Sequence, residues 1–266
     1  MSTQYTVAAS VQAEESGAVG LAVASLPVSF GPAPAGETAA ISAIDGAPGW
    51  TSEAIKAIDG GASGIVVINP APENTAALRD AAEAAGTAVV LDQRWASNPG
   101  LVPAEDAVRS LAGRAAMLDT VATAAAGTDP ERLLTEHLAA VVRITGQLDG
   151  LRVVRRGAHG YTVSGRLANG APVSLHGVLS NSRPAGVDLR LYTDDGGVSV
   201  VVPEPLAAWP AEIRATGQQG ELLLPTLYES AHRTTWRRLK EHLDAGTFPS
   251  DLAGFARLTE SLAHLS

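Results

Sequence analysis

Gly64-Ile-Val-Val-Ile68, stopped by Asn69-Pro70, and Thr87-Ala-Val-Val-Leu91, running into Asp92, decide the reading of this chain. Each is a short unbroken apolar run, as expected of a strand buried on both faces of a parallel sheet. Between them Glu73 and Asn74 open an alanine- and leucine-rich helix that Gly86 ends. Ahead of them Thr51 and Ser52 can cap a helix with Ala54, Ile55 and Ile58 on one face, closed by Gly60-Gly61. Strands and helices alternating with short connections predict a right-handed parallel layer. Upstream, Tyr5–Val11 reads as the first strand. Gly20–Val28 is a second apolar stretch, with the second strand ending near Leu26–Phe30, and Gly31–Gly49 reads mainly as loop.

Downstream, Asp129-Pro130-Glu131 combines a capping Asp, Pro at the first helical position and an acid in the first turn. Leu134, Leu138, Val141 and Val142 follow at helical spacing, and Gly146 closes the helix, with His137 near the edge of the apolar face. Then the period falls to two. Strands are predicted over Leu151–Arg156, Gly160–Ala168, Ala171–Leu179, Val187–Thr193 and Val198–Pro203, with turns at Asn169-Gly170 and Asp194–Gly197. Val173 and Leu175 alternate with Ser174 and His176, and Val187 and Leu189 with Asp188 and Arg190, which describes a sheet covered on one side. Helices over Tyr228–Ala245 and Ser250–Leu265 finish the chain. The fold class is therefore α/β: a Rossmann-like domain with a parallel sheet (1–118), then an α+β domain with a mostly antiparallel open sheet (119–266).

Composition narrows the function classes. With 45% hydrophobic and 18% charged residues, the 266-residue chain has a globular balance. A net charge of −9 argues against nucleic acid and anionic lipid as partners. The absence of cysteine removes thiolate chemistry, and no His spacing suggests a metal site. No secretory signal or membrane-length apolar run is evident, so a cytoplasmic location is the expectation.

The order of elements resembles the Gfo/Idh/MocA family of NAD(P)-dependent sugar and polyol oxidoreductases. Trp50–Ile58 followed by Gly64–Pro70 is similar to the family's helix and its DAVxIxTP strand, and Ala84–Asp92 to its ALxAGKHVxxEKP stretch. Glu136–Gly146 resembles the helix carrying the family's active-site histidine. Gly186–Gly197 with Gly217–Leu222 resembles its sheet hairpin and GxxGxL turn, and Trp236–Gly246 its FxxAIxxG helix.

The departures point away from the family's chemistry. Strand one runs into Ala8-Ala-Ser-Val-Gln-Ala-Glu-Glu15, with no glycine-rich turn to admit a pyrophosphate, while Gly17 and Gly20 come late. Glu14 and Glu15 place negative charge where phosphates would dock. The family's EKP lysine is replaced within Asp92-Gln93-Arg94, and arginine stays protonated. Leu133 stands where the family's histidine motif has an aspartate. The resemblance leaves His137 as the catalytic acid–base candidate, with core packing as its rival. Asn69, Asp92, Arg94, Trp95 and His176 are candidates to line a ligand pocket, and His159, Tyr161 and Arg190 can project from the sheet. The expectation is a family-like protein without hydride transfer and without a cofactor, binding a sugar-like small molecule or forming a homo-oligomer through the open sheet. The alternative is an active oxidoreductase with a rebuilt NAD or NADP site.

Overall fold

The structure, a computed structural model, describes residues 4–34, 37–205 and 209–265. The chain divides into two compact units, residues 1–93 with 231–260 and residues 94–230 with 261–266.

The first unit is built on a five-stranded parallel sheet: β1 (Tyr5–Ala9), β2 (Phe30–Pro32), β3 (Ile41–Asp45), β4 (Gly64–Ile68) and β5 (Ala88–Asp92), ordered β2-β1-β3-β4-β5. Strands β4 and β5 are buried throughout, as their unbroken apolar runs require. The connectivity switches sides between β1 and β3, and doubly wound sheets open their ligand crevice at such a switch point. Helices α1 (Val11–Gly17), α2 (Val19–Ala24), α3 (Trp50–Asp59) and α4 (Ala76–Ala85) connect the strands. Two C-terminal helices, α7 (Ala231–Ala245) and α8 (Asp251–Ala263, as far as Glu260), complete the unit. Helix α7 seats Trp236 and Leu239 in a core with Phe30, Ile41, Val66 and Val90. The Trp236 ring meets Phe30 edge-on at 5.3 Å. Each large side chain so buried stabilises the fold by about 2 kcal/mol.

Several segments differ from the sequence reading. The apolar stretch at Gly20–Val28 is helical at its start, and β2 begins only at Phe30. The span Gly31–Gly49, read as loop, contains β3, which lies between β1 and β4 with Ile41 and Ala43 buried. Ile41-Ser-Ala-Ile-Asp45 has little β-propensity of its own, and ladder partners on both sides impose the strand. Gly49, not Thr51 or Ser52, precedes α3, and α4 starts at Ala76, where Asn74 Oδ1 accepts from the Ala76 amide at 2.9 Å.

The second unit holds α5 (Leu101–Leu111), β6 (Met117–Ala124), α6 (Pro130–Thr145), and β7 (Asp149–Gly157), β8 (Gly160–Arg166), β9 (Pro172–Leu179), β10 (Gly186–Tyr192), β11 (Gly197–Pro203), β12 (Glu212–Gly217) and β13 (Gly220–Leu223). The sheet order is β13-β12-β11-β10-β6-β9-β8-β7, with β6–β9 the parallel pair and the other neighbours antiparallel. The five foreseen strands and both hairpins are present, and Asp129 caps α6 through Oδ1 to the Glu131 amide at 3.0 Å. Helix α5 and strand β6 had no place in the sequence reading. The unit borders also differ from a 1–118 and 119–266 division, because α7 and most of α8 return to the parallel sheet.

Candidate functional site

In the first unit the helix N-termini facing the switch point are occupied by the chain's own side chains. Ser10 alone separates β1 from α1, and its Oγ accepts from the Ala13 amide at 3.1 Å. No loop of glycines intervenes. Gly17, at the end of α1, serves packing instead: a Cβ there would lie 2.8 Å from the Ile68 side chain. Glu14 turns its carboxylate onto the Gly20 amide at the start of α2, with contacts of 2.8 and 3.0 Å. Glu73 spans to the start of α3, accepting from the Gly49 amide and from the Thr51 hydroxyl at 2.8 Å. Asp45, at the end of β3, accepts from Ser16 Oγ at 3.0 Å and from the Ala47 amide at 3.1 Å. Helix N-termini favour anions because of their unpaired amides and dipole, and here internal carboxylates supply the negative charge. A pyrophosphate would meet Glu14, Glu73 and Asp45 rather than bare amides, so these residues do not fit a dinucleotide in the usual manner.

Two pocket candidates fall in this unit. Asn69 closes β4 with a left-handed φ of 49°, and its amide donates to the Asp92 carbonyl at 2.8 Å. Asp92 is fully buried and held from α7, by His232 Nδ1 at 2.6 Å and by the Thr235 hydroxyl at 3.2 Å. Its carboxylate is committed to these partners. Nothing local in the sequence signals a partner 140 positions away.

The remaining candidates lie in the second unit. The Arg94 guanidinium stacks over the buried Trp95 ring, 4.7 Å from its centroid, and bonds Glu136 at 3.1 Å and Glu204. Burial opposes its charge, but the hydrogen bond to Glu204 and the charges of Glu136 and Glu204 outweigh that and raise its pKa. Glu136 is also bonded by Arg132 Nε at 3.0 Å, so the four charges form one chain.

His137 is fully buried between α6 and the sheet. Its Nε2 lies 2.8 Å from Thr120 Oγ1 and its Nδ1 lies 3.0 Å from the Tyr161 hydroxyl. Thr120 spends its only proton on the Asp188 carbonyl, at 2.8 Å. It must therefore accept from Nε2–H, which leaves Nδ1 to accept from Tyr161. The neutral imidazole satisfies every bond in this series, and burial, with a smaller contribution from the charge of His176, lowers its pKa to about 3. Burial likewise raises the Tyr161 pKa well above its ordinary value. Gly177 makes room for the phenol, since a Cβ there would sit 2.1 Å from the Tyr161 ring. The proton chain ends on a backbone carbonyl.

His176 projects from the other face of the sheet. It is bracketed by Ser174 Oγ at 3.0 Å, Thr162 Oγ1 at 3.3 Å and Asp119 at 3.5 Å. The structure thus brings Asn69 to Asp92, and Arg94 to Trp95, but puts His137 and His176 on opposite faces of one sheet. Tyr161, grouped in the sequence reading with His176 and Arg190 as projecting from the sheet, is instead buried against His137 on the opposite face. Thr120, Glu204, His232 and Thr235 were not foreseen. Among the described residues no group of His, Asp or Glu is arranged to hold a metal ion, and no helix is long and apolar enough to cross a membrane.

No protein-family model matches the sequence, and no curated protein matches it. Solved structures do share its fold. Levoglucosan dehydrogenase in complex with NADH and levoglucosan superposes with a TM-score of 0.72 at 12% identity, over 99% of this chain and 96% of that one. UDP-N-acetylglucosamine 3-dehydrogenase from Acidithiobacillus ferrooxidans gives 0.68 at 15% identity, over 98% and 88%. A mutant 3-ketoreductase from Actinomadura kijaniata, in complex with TDP-benzene and NADP, gives 0.67 at 12% identity, over 85% and 76%. The fold is that of the Gfo/Idh/MocA-type dehydrogenases, as the order of elements led one to expect.

Proposed function

We propose that this chain is a Gfo/Idh/MocA-like protein that carries out no NAD(P)-linked hydride transfer, and that it binds a small sugar-like ligand or acts as an oligomeric partner. The observation that carries this reading is the one-residue junction between β1 and α1, where Ser10 stands in for a phosphate-binding loop. The carboxylates of Glu14 and Glu73 at the neighbouring helix starts support it. His137 supports it too, because a proton relay beside a substrate must reach the substrate, and this imidazole is closed in by Thr120 and Tyr161. Arg94, matched by the resemblance to the family's lysine, is neutralised by Glu136 and Glu204.

Asn69 in the first unit, and separately Arg94 and His176 in the second, remain partly accessible. On the face of the second sheet opposite α6, Val178, Tyr192 and Val201 are exposed, which favours association with a second copy through that face. The rival reading, a working oxidoreductase with a rebuilt cofactor site, is favoured by the NADH and NADP held in structures of the same fold. Turnover assays decide between them: the purified chain, given NADH or NADPH with ketosugars, or NAD or NADP with sugars and polyols, is expected to leave absorbance at 340 nm unchanged. Steady turnover abolished by Arg94→Ala would favour the rival.

A further inference from the structure

The eight-stranded sheet of the second unit ends on an open edge. Strand β13 is its last strand, with β12 as its only ladder neighbour among the described residues. The Leu224 amide donates to the Ile213 carbonyl at 2.9 Å. By alternation the main-chain groups of Leu222 also face β12, while those of Glu221 and Leu223 face outward. Gly220-Glu-Leu-Leu223 holds neither the lysine nor the proline that would block an edge, and its one charge is spent on Arg214, 2.6 Å away. Leu222 shares a face with its ladder partner Ala215 and is 61% exposed. Ala215 in turn lines a groove of about 530 Å³ together with Pro103, Ala107 and Leu111 of α5. Apolar surface thus runs from the groove to the free edge. Of the fifteen exposed large apolar side chains among the described residues, Leu222, Leu223, Leu227 and Tyr228 fall within seven consecutive positions, a density that marks a contact surface.

We propose that β13 pairs with β13 of a second copy, antiparallel about a two-fold axis at Leu222, joining two eight-stranded sheets edge to edge. A strand edge is self-complementary under such an axis. The register follows from the residues. Centred on Glu221, the ladder would set two carboxylates directly opposite each other. Centred on Leu223, it would place Glu221 opposite Pro225, which has no amide to donate. Centred on Leu222, it lets Glu221 and Leu223 of the two copies exchange main-chain bonds. The two Leu222 side chains then meet at a non-hydrogen-bonded position, where side chains approach most closely, and bury each other. This contact is separate from association through the open sheet face and does not depend on it.

The chain has no cysteine, so Leu222→Cys places a single thiol on the axis. Treated with oxidised glutathione, this full-length variant is expected to form a disulfide-linked dimer about tenfold faster or more than Leu21→Cys, an exposed position on α2. In sedimentation equilibrium, Leu222→Lys is expected to raise the dissociation constant of the contact about tenfold or more, because two ammonium groups replace two leucines, while Val178→Lys on the open face leaves it unchanged. Cross-linking no faster than that of Leu21→Cys would overturn the proposal. So would an association lost in Val178→Lys and kept in Leu222→Lys. A wild-type chain that stays monomeric at every concentration reached would also overturn it, and would assign the edge to a different occupant.

Discussion

The Tyr161 hydroxyl lies 3.0 Å from Nδ1 of His137, and both side chains are buried. This bond is the first link of a proton chain that runs through His137 and Thr120 to the Asp188 carbonyl, which sets its direction. Removing the hydroxyl leaves a buried acceptor unmet. Tyr161→Phe is therefore expected to destabilise the fold by about 1–3 kcal/mol, measured by denaturant unfolding. An unchanged midpoint would mean that the imidazole finds another donor.

The same histidine sets an acid sensitivity. Its folded pKa is depressed to about 3, so the unfolded state binds the proton first. The stability it contributes is complete above the unfolded pKa near 6.5 and is lost as pH falls from there towards 3, by up to about 1.4 kcal/mol per pH unit. His137→Gln is expected to flatten this part of the stability profile while lowering the plateau. Urea unfolding at a series of pH values reads both effects.

Arg94 holds two carboxylates at once. Its loss leaves Glu136, with a side chain 8% exposed, facing Arg132 alone. Arg94→Met is expected to cost about 3–5 kcal/mol. Arg94→Lys recovers only part of this, because an ammonium cannot reproduce the forked guanidinium contacts or its stacking on Trp95. Equal stability of the lysine variant and the wild type, by thermal denaturation, would show that charge alone matters.

Gly177→Ala is a steric test of the same region. The added methyl would lie 2.1 Å from a Tyr161 ring carbon, so the ring must leave its place and His137 loses its donor. Destabilisation of at least about 3 kcal/mol is expected, together with a perturbed tyrosine near-ultraviolet signal.

Much of the fold was legible because its signals are local. The apolar runs of β4 and β5, the Asp129 cap and the Asn169-Gly170 turn each declare themselves within a few residues. Strand β3 did not, since Ile41-Ser-Ala-Ile-Asp45 becomes a strand only through the neighbours that pair with it. The return of α7 to the parallel sheet is equally non-local. Of the site, the missing glycine loop could be read directly, whereas the depth of His137 could not. Its place near the edge of an apolar stripe gives no hint that α6 is buried from Leu133 to Val141 on nearly every side. Asp92 looked like a pocket residue because strand ends in such sheets face ligands, and its capture by His232 lies beyond any motif.

On the proposed reading, Ser10, Glu14 and Glu73 close the place where a dinucleotide would sit. Isothermal calorimetry of NAD, NADH, NADP and NADPH on the cofactor-free chain tests it most directly. No saturable heat is expected up to millimolar cofactor, whereas a dissociation constant in the micromolar range, about −8 kcal/mol of binding, would overturn that reading.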